Sequence, residues 1–248
     1  MFTSPDNVVA YHFLTANPLQ RAIPLQIISA IDRGLGLSLC TAPHIPSVEN
    51  LYGQVLAVDV PQSGFAFVAY ALLERAGLFP GDYVIESLGS TPKRADALIA
   101  GSCAATILNA GNELRAVGAG CSNLSHVSNL GPYLGTVLAT LAVRDESANE
   151  VNRRFVDAML ETIHDIVAGD REAHVIESAT RLLNLTEEEA KEHYACLRSP
   201  TTGFVESGRV DRASIETLVT LRHTYAPTPE LDGILGAFDS VLLERARE

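Results

Sequence analysis

The sequence predicts an α/β protein of two lobes with a helix-rich C-terminal half, and three observations carry that reading. Residues 53–132 alternate short apolar strands with short helices. Residues 1–52 look like a similar but incomplete unit. Beyond about residue 140 the pattern becomes almost wholly helical. Strand–helix alternation with short loops is the signature of a parallel, doubly wound sheet. An incomplete start and a helical tail around such a unit imply one lobe built from two separated stretches. The expected division is residues 1–52 with 133–248 for lobe I and residues 53–132 for lobe II. The Gly131-Pro132 pair is turn punctuation at the crossover between them.

The elements follow in order. A helix over residues 6–14 opens at the Ser4-Pro5-Asp6 turn, and residues 36–41 (GLSLCT) read as a strand. Residues 54–60 (QVLAVDV) form the next strand. The helix over 64–76 places Phe65, Val68, Leu72 and Leu73 on one face. Gly77 is a C′ stop and Pro80-Gly81-Asp82 is turn chemistry. Residues 83–88 form a strand. Thr91 followed by Pro92 reads as an N-cap with proline at N1, opening a helix that Gly101 ends. Residues 104–108 give a strand and 112–117 a short helix. In the second half, Ser147 and Glu150 fit a capping box for a helix to residue 167. Gly169 ends it, and Asp170 caps a helix to residue 183. Thr186 and Glu189 form another capping box, for a helix to residue 197. Helices over 211–225 and from Thr228-Pro229 onward complete the chain.

Composition narrows the function classes. Of 248 residues, 47% are hydrophobic and 19% charged, which suits a globular core. The net charge of −12 repels phosphate backbones and anionic lipid, so nucleic acid is not an expected partner. No stretch reaches the roughly 18 apolar residues of a membrane span. The start has no basic n-region or long apolar h-region, so the expected location is the cytoplasm as the sequence stands, or outside it if a segment precedes. Cys40, Cys103, Cys121 and Cys196 match no zinc or CxxC spacing. They are either buried free thiols or include a disulfide such as Cys103–Cys121. No histidine pair has metal spacing, and no metal or cofactor is expected.

With these elements placed, a family resemblance is readable. The runs GQVLAVDVPQSGFAFVAYALLERAGLFPGDY, LGSTPKRADALIAG and CAATILNAGNELRAVG occur in that order. Together they resemble the substrate-binding components of ABC importers, in the SsuA/THI5-like (NMT1-like) branch for nitrate, sulfonates, taurine and thiamine-pyrimidine precursors. The resemblance spans residues 4–225. It implies a type II periplasmic-binding-protein fold, a small solute held between two lobes, and an ABC permease as partner. Members of that family begin with a further β-α-β stretch, so this chain is expected to be N-terminally shortened. An exposed sheet edge would then be covered by a helix or by a second copy in a homodimer.

Open α/β sheets bind ligands beyond the carboxyl ends of their strands, where helix N-termini offer unpaired N–H groups to polar or anionic molecules. Four such places are readable, at residues 4–7, 63–64, 89–91 and 109–111. They supply the candidate contacts Ser4, Asp6, Asn7, Ser63, Gly64, Ser90, Thr91 and Asn109, each of which has plain helix capping as its other reading. Gly64 permits close backbone approach. Phe65 and Tyr133 could stack on a flat ligand, although core packing also accounts for Phe65.

Two functions compete. The first is an ABC-importer solute-binding protein for a small polar or anionic organic molecule. The second is a cytoplasmic enzyme on the same scaffold, a lyase, decarboxylase or dehydratase using Asp6, His12 or Cys40, or a pyrimidine-biosynthesis relative. The pyrimidine synthases need a pyridoxal-phosphate lysine and a cysteine-rich stretch. Only Lys93 and Lys191 are present here, and no such stretch occurs.

Overall fold

A computed structural model of the chain describes residues 1–12, 23–141 and 146–227. It contains two sheets. The five-stranded sheet has the order β5-β4-β6-β3-β7. Its strands are β3 (Ser38–Thr41), β4 (Val55–Val58), β5 (Val84–Ser87), β6 (Ala105–Leu108) and β7 (Ser122–His126). β4 runs parallel to both β5 and β6, as the alternation predicts. β3 runs antiparallel to β6 and to β7. The boundary expected between residues 52 and 53 therefore fails at β3, which lies before it yet sits inside this sheet. Its four residues are all buried, so they need a partner strand on each side.

Between these strands run α2 (Gly64–Arg75), α3 (Thr91–Ile99) and α4 (Asn112–Gly118). α2 is buried on more than one face, with Phe67, Val68, Leu72 and Leu73 in the core, while Phe65 is half-buried at its margin. Edge strand β5 is exposed along its whole length.

The other sheet is antiparallel and three-stranded, in the order β1-β8-β2: β1 (Phe2–Thr3), β2 (Leu25–Asp32) and β8 (Thr136–Leu141). α1 (Pro5–His12) and α8 (Arg212–Tyr225) cover one face through Val8, Val9, Ile215 and Leu218. α5 (Glu146–Ala168) covers the other through Val156, Met159 and Leu160. Covered on both faces, β2 and β8 show no apolar–polar alternation, which is why neither was expected. Backbone bonds from the 203–208 segment cover the outer edge of β2, through Ala30 to Gly208 and Val205 to Ile31. The β1 edge carries half-exposed Phe2, whose ring meets Phe155 of α5.

α6 (Glu172–Leu183) and α7 (Glu187–Leu197) complete the helical part. The Thr186–Glu189 capping box is present, and Asp211 caps α8. Two caps differ from expectation. α5 already begins at Glu146, so Ser147 lies inside it, and Arg171 rather than Asp170 precedes α6. The helix expected from Thr228 lies outside the described residues. All four cysteines are free thiols, and no described helix is long and apolar enough to cross a membrane.

Candidate functional site

Because β4, β5 and β6 are parallel neighbours, the loops that follow them share one end of the sheet. After β4, Ser63 caps α2: its Oγ accepts from the Ala66 amide at 3.0 Å and donates to the Asp59 carboxylate. After β5, the N-cap is Ser90, one residue earlier than expected, and it makes no side-chain cap bond. Thr91 is the first helical residue, and its Oγ1 accepts from Arg94 Nη2 at 3.0 Å. Buried Arg94 also donates to the Gly89 carbonyl (3.0 Å), Thr106 Oγ1 (3.0 Å) and the Ile107 carbonyl. It ties the loop after β5 to the end of β6. Burial lowers its pKa, and the nearby Asp59 charge opposes that shift. After β6, Asn109 is half-exposed, and its carbonyl accepts from the amide and side chain of Asn112. Gly111 takes φ 88°, the left-handed turn that opens α4.

The fourth place is occupied by the protein itself. Asp6 is 1% exposed, and its carboxylate accepts from Arg222 of α8 through Nε–Oδ1 and Nη2–Oδ2, both 2.6 Å. A Cβ on Gly64 would lie 2.7 Å from Cβ of Asp6. The absent side chain of Gly64 is therefore accounted for by Asp6, and a bulkier residue there disturbs packing before it could meet a solute. Ser4 Oγ accepts from the Asp6 amide, and exposed Asn7 donates to Thr3 Oγ1. Thus Asp6, Ser63 and Gly64 come together, with Ser90, Thr91 and Asn109 at the neighbouring strand ends. Tyr133 is buried against Gly34 in the core, not placed at an open cleft for stacking. Cys40 is fully buried on β3, where desolvation pushes its thiol well above the usual range, the reverse of what a thiolate nucleophile needs. His12 ends α1, with its side chain outside the described residues.

Sequence reasoning missed two carboxylates where the sheets join. Asp32 ends β2, and its Oδ1 accepts from the Gly34 amide at 2.9 Å. Glu113, in the first turn of α4, is 4% exposed, and its Oε2 has no hydrogen-bond partner. Gly36 packs against the other oxygen so closely that a Cβ there would collide with it. Burial raises both carboxyls, Glu113 to about 7. The charges of both reach Cys196 of α7. In sequence, Glu113 looks like any first-turn acid facing a helix dipole. Its one distinctive signal is distant, in the glycine at 36. Among the described residues, no group of three histidine, cysteine or acidic side chains could hold a metal ion.

No family model and no curated protein matches the sequence. Solved structures do. The alkanesulfonate-binding protein SsuA from Xanthomonas axonopodis pv. citri, bound to MOPS, is similar over 98% of this chain and 79% of its own, with TM-score 0.74 and 14% identity. The ligand-binding component of an ABC-type import system from Staphylococcus aureus, with zinc bound, covers 98% and 77%, with TM-score 0.73 and 11% identity. The desulfurization enzyme DSZB covers 96% and 85%, with TM-score 0.61 and 13% identity. Binding proteins and an enzyme thus share this architecture, and at such identities the likeness speaks for fold alone. The chain has the SsuA-like, type II periplasmic-binding-protein fold.

Proposed function

We propose that the chain is a solute-binding protein that holds a small polar or anionic organic molecule between its two lobes and delivers it to the permease of an ABC importer. The observation that supports this most is the likeness over 98% of the chain to importer binding components. The strand-end loops add chemistry to it. Ser90 leaves the Thr91 and Lys93 amides at the start of α3 without a side-chain cap, Pro92 between them having no N–H, and these two can face an anionic group. Half-exposed Asn109 adds a donor and an acceptor beside them. The complex of the Xanthomonas protein with MOPS makes sulfonates the first probes.

The test is calorimetric titration with aliphatic sulfonates, carboxylates and pyrimidines, against wild type, Ser90→Glu and Asn109→Asp. The added carboxylates compete with a bound anion, and affinity is expected to fall about tenfold or more, the equivalent of about 1.4 kcal/mol. Binding that both variants leave unchanged places the solute elsewhere. The second reading is a lyase-type enzyme on this scaffold, favoured by the raised carboxyl of Glu113 as a general acid–base group. Solute turnover seen by mass spectrometry, and lost in Glu113→Gln, would replace the binding reading.

A further inference from the structure

The buried Asp6–Arg222 pair joins parts of the molecule that otherwise have separate cores. Asp6 lies in the first turn of α1, whose Val8 and Val9 pack in the core of the three-stranded sheet. Gly64 and Phe67 belong to α2, in the core of the five-stranded sheet. α8 enters both, with Ile215 and Leu218 in the first core and Leu221 in the second. Its Arg222 grips Asp6 on one side. On the other it lies 5.2 Å from the centroid of the Phe67 ring, with Nη2 3.5 Å from the Gln62 carbonyl. Lobe I, α8 and the loop that opens α2 thus converge on two side chains, each 1% exposed.

The position of the carboxylate matters as much as its partner. It lies against the first residue of α2, at a strand-end loop of the kind that offers amides and a helix dipole to an anion. Here a carboxylate of the opposite lobe packs beside the start of α2, with its hydrogen bonds made to Arg222. A buried ion pair is weak evidence for stability, because desolvation offsets its attraction, but it can specify one arrangement among several. From this geometry we infer that Asp6 and Arg222 form an interlobe latch: Asp6, packed against the start of α2 and gripped by Arg222, holds the lobes closed without solute. Gly64 is the seat of the latch, since only a residue without a side chain lets Asp6 reach that position.

The latch does not depend on which solute the protein binds, or on whether it binds one, so its test uses the solute-free chain. Small-angle X-ray scattering of wild type should fit the closed arrangement. Two variants should open it. Asp6→Asn combined with Arg222→Met removes both charges and strands neither. Gly64→Ala keeps both charged residues and wedges Asp6, and α1 with it, away from α2. In both, the radius of gyration should rise while far-ultraviolet circular dichroism stays native. Hydrogen exchange at the amides of residues 64–67 should quicken by at least about tenfold. Wild type that scatters as an open molecule overturns the latch. So do folded variants with unchanged scattering and exchange. Loss of the circular dichroism signal in both variants also overturns it, since the pair would then hold up the fold rather than set the lobe arrangement.

Discussion

The two sheets differ in how their contacts are distributed along the chain. In the five-stranded sheet, β4, β5 and β6 follow one another with a helix between each, and β5 and β6 flank β4 on its two sides. In the three-stranded sheet, β8 pairs with β1 from the start of the chain, Thr3 facing Val137. The first sheet encloses one continuous core. The second is covered by separate clusters on its two faces. The β4–β6 part of the first is therefore built from successive strand–helix units, with β3 added from far along the chain, and the second depends on long-range pairing of β8 with β2 and β1. The candidate site lies where the two kinds of assembly meet.

The sharpest way to break this contrast is Arg222→Ala. It strands the Asp6 carboxylate in a buried site, and the expected loss is about 3–5 kcal/mol. Urea denaturation measures it. A loss below about 1 kcal/mol, the worth of an exposed pair, would mean that α8 is not the main tie between the sheets.

Glu113→Gln sharpens the comparison at the junction itself. Burial raises this carboxyl from 4.5 to about 7 in the folded protein. Between those values the folded state holds a proton that the unfolded chain has released. On this group's account, stability is greatest below pH 4.5, falls as pH rises towards 7, and is level above. The shift corresponds to about 3 kcal/mol at most. Relative to wild type, the glutamine variant should therefore gain stability between pH 5 and pH 8. Asp32, raised for the same reason, keeps part of the slope in both proteins. A stability difference that does not change with pH would refute a buried, proton-holding Glu113.

The smallest expected effect is local. Thr186→Ala removes the α7 cap, in which Thr186 Oγ1 accepts from the Glu189 amide at 3.3 Å. It should cost about 1 kcal/mol. Hydrogen exchange should quicken in the first turn of α7 and remain unchanged in the five-stranded sheet. Faster exchange throughout would show that the helical part and that sheet unfold as one unit.

Much of the local structure was legible. The starts of α2, α7 and α8 rest on Ser63, Thr186 and Asp211, each bonding an amide three residues on. Capping needs only those neighbours, so the signal sits in a few letters. Thr91 was misplaced by one position because Ser90 and Thr91 both serve as caps by type, and Pro92, read at N1, stands at N2. The strand-end loops were legible for the same reason, but not what fills them. Nothing near Asp6 in the sequence announces Arg222.

By itself, the sequence determined the alternating unit from β4 to α4 and the helical character of the second half. Periodicity, capping and turn chemistry act over a few residues, and those residues are adjacent letters. Only the tertiary structure decided that β3 enters the five-stranded sheet against β6 and β7, that β8 lies between β1 and β2, and that Asp6 is spent on Arg222. Only it buried Glu113 against Gly36. Such pairings are chosen by the total surface they bury and the backbone groups they satisfy. Those quantities belong to the assembled chain, and no short window of sequence contains them.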